Sequence, residues 1–122
     1  MPVKHVNAVE AQPVKGADKT TIQVLISSEE GPNFAMRRFL MKRGGFMPNH
    51  TNTVEHEQFV LRGRASISIN GQVYTVQAGD AVFIPEGAPH WYVNNGEDDF
   101  EFLCIIPNQK DEVKIVNDIN AC

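Results

Sequence analysis

His50 and His56 stand six residues apart in the stretch GGFMPNHTNTVEHEQFVLRG, residues 44–63, and His90 follows in GDAVFIPEGAPHWYVN, residues 79–94. Each neutral imidazole offers a lone pair to a divalent ion. Three of them, brought from separated positions onto one rigid frame, hold the ion on one side and leave its other positions to water or substrate. One histidine in a β-strand is ordinarily a hydrogen-bonded structural residue; three of the chain's four at these spacings point to metal. Asn52, between the first two, supplies only a neutral amide oxygen, a harder and weaker donor. It stands either as a loose ligand or as a turn residue satisfying local backbone groups. His5 has no such company and is expected on the surface.

The neighbours sort by strand parity. Glu55 and Glu57 alternate with His56 and should point away from the ion, whereas Gln58 and Val60 share its inward side and Phe59 and Leu61 the outward one. Gln58 is therefore a candidate pocket residue. In NFAMRRFLMK, Arg37 shares a face with Ala35, Phe39 and Met41, and Arg38 with Phe34, Met36 and Leu40, so one arginine must approach the interior or an interface. Trp91 and Phe102 are candidate walls of a substrate pocket, although core packing is the commoner fate of such aromatics.

These side chains need a frame, and its rhythm is visible beyond residue 20. Short β-rich runs recur about every ten residues between Gly, Pro, Asn and Asp, as in a sandwich or barrel. Candidate strands are 21–27, 34–42, 57–62, 81–84, 90–93 and 100–106. The hairpin RASISINGQVYTV is the clearest, since Asn70-Gly71 supplies the two positive-φ positions of a type I′ turn. Gly63 and Gly79 suit sharp changes of direction, and Pro85 with Gly87 a turn leading into the strand of His90. At the ends, the first ten residues read as a strand of the N-terminal arm, and Val113, Val116 and Ile119 suit either a short helix or an extended arm.

Composition excludes several classes of function. A chain of 122 residues with 42% apolar and 21% charged residues and net charge −4 suits one ordinary globular domain, and lacks the basicity that tracks a phosphate backbone. Nucleic acid is not expected as a partner. No apolar run approaches the roughly 20 residues that span a bilayer, and no secretory segment is visible at the start, so membrane association is not expected and a cytoplasmic location is. Cys104, inside the apolar run FLCIIP, reads as a buried thiol, and Cys122 as an exposed terminal one.

The two stretches together resemble the cupin superfamily. Its first motif is G, five residues, H-x-H, three or four residues, E, six residues, G; its second is G, five residues, P-x-G, two residues, H, three residues, N. Gly44, His50, Asn52, His56 and Gly63 fall on the first set of spacings, and Gly79, Pro85, Gly87, His90 and Asn94 on the second. Eight of the ten positions carry the family's residue, and 15 residues separate the motifs. Asn52 replaces a histidine and His56 a glutamate. The string EHEQFVLRG, with PNFAMRRF before it and FEFLCIIP after it, resembles a subset of small cupins that bind manganese through four histidines. That likeness favours Arg37 beside the pocket, within reach of a substrate carboxylate.

The resemblance implies an all-β fold, a small antiparallel jelly-roll barrel formed as one cupin domain over residues 1–122, with His50, His56, His90 and Asn52 around one divalent ion. Mn or Fe is the first expectation, with Zn, Ni or Cu as alternatives. With no carboxylate among the ligands, the ion would favour anionic or enolisable substrates that chelate through oxygen. An oxygenase-type enzyme acting on a small molecule is the leading expectation; a non-redox isomerase or lyase, a non-catalytic binding or sensing barrel, and a storage protein are the alternatives. The outward apolar Phe59 and Leu61 suggest a homodimer.

Overall fold

The fold follows from where this chain can turn. The computed structural model describes residues 2–116 and is all-β apart from one 3₁₀ turn at Val6–Ala8. Ten strands follow in order: β1 (Gln12–Pro13), β2 (Asp18–Ile26), β3 (Phe34–Thr51), β4 (His56–Arg62), β5 (Arg64–Ile69), β6 (Gln72–Gln77), β7 (Ala81–Ile84), β8 (His90–Val93), β9 (Phe100–Pro107) and β10 (Lys114–Ile115). All pairings are antiparallel, and the hydrogen-bonded order β6-β5-β8-β3-β9-β4-β7, with β2 and β10 also on β3, curls into a jelly-roll barrel. Among the described residues no helix is long and apolar enough to cross a membrane.

β3 is the element that positions the site. Its first half pairs with β9, Phe34 to Met41 against Pro107 to Phe100, and its second half crosses to β8, Phe46 against Val93 and His50 against His90. The corner between the halves falls at Gly44 and Gly45. Gly44 has φ +80°, and a Cβ on Gly45 would lie 2.8 Å from the Asp18 carbonyl oxygen, so neither position takes a side chain without strain. Pro48, with no N–H for the ladder, sits at the register shift between Met47 and His50. The strand expected to stop at residue 42 therefore runs to Thr51. Glycine and proline signal turns locally, but pairing with β8 and β10 carries the strand through them.

The other turns form as expected. Asn70 (φ +52°) and Gly71 (φ +83°) close the β5–β6 hairpin with Ile69 opposite Gln72, and Gly87 (φ +79°) lies in the turn where the Ala88 N–H donates to Pro85. Val113 and Val116 flank an extended arm, not a helix, and the Val116 N–H donates to the Asn49 carbonyl. Ile119 and Cys122 lie outside the described residues. The N-terminal arm forms the 3₁₀ turn instead of a strand, and the Gln23 amide donates to the carbonyls of Val6 and Val9.

The barrel closes on Met41, Val60, Ile67, Ile84, Phe100 and Phe102, each at most 1% exposed. The β4 alternation holds: Val54, His56, Gln58 and Val60 are buried, and Glu55, Glu57, Phe59 and Leu61 are exposed. Gly63, at the sharp β4–β5 corner, has φ +80°, and an added Cβ would run into the Asp99 carbonyl. Gly63→Ala is expected to cost about 3 kcal/mol, combining left-handed backbone strain with overpacking against main chain. Urea denaturation measures it; a loss below about 1 kcal/mol would mean that this corner relaxes freely.

Candidate metal centre

Three strands deliver the histidines. His50 is the last residue but one of β3, His56 begins β4 and His90 begins β8, directly opposite His50 in the ladder. The His50 and His90 rings have centroids 4.1 Å apart, and those of His56 and His90 lie 5.9 Å apart. All three share one further feature. Each Nδ1 meets the carbonyl two residues earlier: His50 with Pro48 at 2.8 Å, His56 with Val54 at 3.1 Å, His90 with Ala88 at 2.9 Å. A carbonyl only accepts, so each Nδ1 must carry the proton, and each neutral ring is left with its lone pair on Nε2.

Burial keeps the rings neutral. It is the main cause holding His56 and His90 down at about 4, with the Arg37 charge adding to the effect on His56 and the His50 charge to that on His90; burial also lowers His50. Neutral rings suit a cation.

Asn52 is 7% exposed, and Asp111 fixes its orientation. The Asn52 amide nitrogen donates to one Asp111 carboxylate oxygen at 2.9 Å, and the Thr53 N–H donates to the other at 2.9 Å. With its nitrogen turned to Asp111, the Asn52 Oδ1 is buried without a hydrogen-bond partner. An orphaned buried acceptor is costly unless something positive meets it. Together with three bare Nε2 lone pairs on the same pocket wall, it fits a divalent ion or an ion's water.

The ligand set is not closed as it stands: among the described residues no three His, Cys, Asp or Glu side chains are gathered tightly enough to grip an ion unaided. Imidazoles bound through Nε2 at about 2.1 Å put ring centroids roughly 4.6–5.3 Å apart. The two separations bracket that range, so His56 would have to draw in by roughly an ångström while His50 and His90 spread.

These residues line a pocket of about 560 Å³ with Arg37, Gln58, Tyr92, Phe102 and Cys104. Arg37 and Gln58 thus share one pocket wall with the histidines. Gln58 Nε2 donates to the Tyr92 hydroxyl at 2.6 Å and approaches the Cys104 thiol at 3.7 Å. Burial raises the thiol pKa, consistent with an unreactive core cysteine.

Trp91 is the exception. It pairs with Ser68 on the opposite side of β8 from His90 and lies outside the pocket, because residues one apart in a strand face opposite ways. Tyr92, two positions from His90, fills the wall instead. The two-residue period marks Tyr92 in the sequence; nothing local marks Asp111, which reaches Asn52 across 59 residues. Asp111→Ala is expected to cost about 1–2 kcal/mol, since the Thr53 N–H and the Asn52 amide lose a charged acceptor. A drop in melting temperature of a few degrees would show it; an unchanged transition would mean that water replaces the carboxylate.

A small β-barrel with inward histidines near one mouth defines a class, and comparison with known proteins agrees. Residues 37–106 match the family model of the cupin domain, and the chain belongs to that family. Acireductone dioxygenase 1 of Pectobacterium atrosepticum is 32% identical over 81 residues, 63% of this chain and 46% of that protein. The chain spans less than half the length of the curated relatives it matches. The solved structure of the polyketide cyclase RemF from Streptomyces resistomycificus is 32% identical with TM-score 0.88, covering 96% of this chain and 86% of that one. A cupin-2 domain from Rhodospirillum rubrum, 22% identical with TM-score 0.85, covers 98% of this chain and 82% of its own and shows the shared fold.

Proposed function

We propose that this chain is a metal-dependent enzyme acting on a small organic substrate that binds through its oxygens, with His50, His56 and His90 as ligands and Asn52 holding the ion or its water. The observation that carries this reading is the common tautomer of the three rings, all with bare Nε2 on one pocket wall beside the orphaned Asn52 Oδ1. Mn or Fe is the first expectation, with Zn, Ni or Cu as alternatives. When bound, such an ion would act as a Lewis acid toward substrate oxygens, retaining its full charge because no carboxylate ligates it. The chain's own part is to bind and orient: the Nδ1 bonds aim the rings, the apolar wall excludes water, and Gln58 holds the Tyr92 hydroxyl.

An oxygenase-type reaction is the leading reading, supported by the acireductone dioxygenase relatives. A non-redox reaction of cyclase type is the second, favoured by a likeness to RemF that extends over nearly the whole chain. Oxygen consumption separates them. Protein loaded with Fe²⁺ or Mn²⁺ and given enolisable diketones and catechol-like acids should take up O₂ in step with substrate loss under the first reading. Product formed equally well without O₂ would select the second, and tight binding without any product would remove the enzymatic claim.

Asn52→His would complete a four-imidazole set and is expected to tighten metal affinity at least about tenfold, read by competition with a chromophoric chelator. Unchanged affinity would place residue 52 outside the ion's reach. A cytosolic homodimer belongs to the same reading: Phe59, Leu61 and Phe83 leave an apolar outer face, at 47%, 40% and 55% exposed.

A further inference from the structure

The chain places two arginines side by side in β3 and treats them differently. Arg38 faces outward and is paired, with the Glu101 carboxylate 3.0 Å away and the Gln23 side-chain oxygen accepting from it. Arg37 faces the pocket, and among the described residues it forms no ion pair. Its Nη2 donates to the Cys104 sulfur at 3.2 Å, a weak acceptor, its guanidinium lies 5.2 Å from the centre of the Phe39 ring, and its Nε is buried with no partner at all. A guanidinium offers five donors and a permanent charge; here a thiol and a ring face take up little of either.

A second donor is close by on the same wall. The Tyr92 hydroxyl accepts from Gln58 at 2.6 Å, which leaves its own proton to give. The wall between these groups is a buried aromatic stack: Phe39 stacks on Phe102 with centroids 5.0 Å apart and planes 12° apart, and Phe102 stacks on Tyr92 at 5.3 Å and 12°.

We propose that the inner part of this pocket is a subsite for an oxyanion carried on an apolar, unsaturated ligand: Arg37 supplies the cation, the Tyr92 hydroxyl a second donor, and the stacked Phe39, Phe102 and Tyr92 rings the apolar wall beside the body. The ligand class is an aromatic or conjugated carboxylate or enolate of bicyclic to tricyclic size, which a pocket of about 560 Å³ accommodates. The subsite stands on pocket residues alone. The placing of the ligand's other oxygens by the histidines rests on the metal reading above, and it names the substrate class for that reading.

The test uses a matched pair of probes, 2-naphthoate and its neutral carboxamide, titrated calorimetrically into the full chain after removal of metal by a chelator. Wild-type protein is expected to bind the carboxylate at least about tenfold more tightly than the amide. Arg37→Met should erase that preference, Arg37→Lys should retain part of it, Tyr92→Phe should reduce it severalfold, and the outward Arg38→Met should leave it intact. Equal affinity for the two probes in the wild type, no binding of either, or a preference that survives Arg37→Met would overturn the proposal. The wild-type comparison decides by itself if Arg37→Met does not fold. Because the preference is read without metal, its failure is distinct from failure of the histidine site, which metal content reports.

Discussion

Replacing His50 and His56 together with alanine is expected to abolish stoichiometric metal binding and to weaken residual affinity at least about a thousandfold. Even an outer partner that only orients a ligand is worth about 10–100-fold in affinity, and the double variant removes two direct donors of three. His90 and Asn52 would remain, too few to displace an ion's water shell. Metal analysis of dialysed protein provides the measurement, with His5→Ala as the control that should bind as the wild type does, since His5 only caps the Asn7 N–H at the N-terminal turn. Metal content unchanged in the double variant would remove the site.

The second large effect is acid sensitivity of the metal-free protein. His56 and His90 ionise near 4 in the fold instead of 6.5, chiefly because burial penalises their charged forms. Between those values the unfolded chain binds more protons than the folded one. Stability is therefore fully present above about pH 6.5 and is lost as pH falls toward 4. Each ring contributes on the order of 3 kcal/mol to that loss. The pair together approach the roughly 5–15 kcal/mol total stability of a small domain. Urea midpoints at pH 7 and pH 4 should differ accordingly, and bound metal should shift the fall to lower pH because it occupies the same lone pairs. A flat profile down to pH 4 would show that the rings charge in place, and would argue against their burial in a shared pocket.

What could be read from the sequence was what local physics decides. Asn70-Gly71 announces its hairpin because two positive-φ residues are a short-range requirement, and the inward order of His56, Gln58 and Val60 follows from the strand period. The same period separates Trp91 from Tyr92, so that Tyr92 lines the pocket with His90 and Trp91 faces the other way. Where long-range pairing overrides local signals, the sequence is misleading. β3 runs through Gly44, Gly45 and Pro48 because β8 and β10 pair with its second half, Phe46 to Thr51. The grip of Asp111 on Asn52 has no local trace, since the C-terminal arm returns to the barrel mouth only in the folded chain. The unpaired state of Arg37 is likewise visible only once Arg38 is seen to take Glu101.

The most direct test of the metal claim is anomalous diffraction from crystals grown with Mn²⁺ or Fe²⁺, collected at the metal's absorption edge. One strong peak is expected in the pocket, about 2.0–2.3 Å from the Nε2 atoms of His50, His56 and His90, with the Asn52 Oδ1 on the ion or on its water. The three rings turned apart, with no peak between them in excess metal, would contradict it.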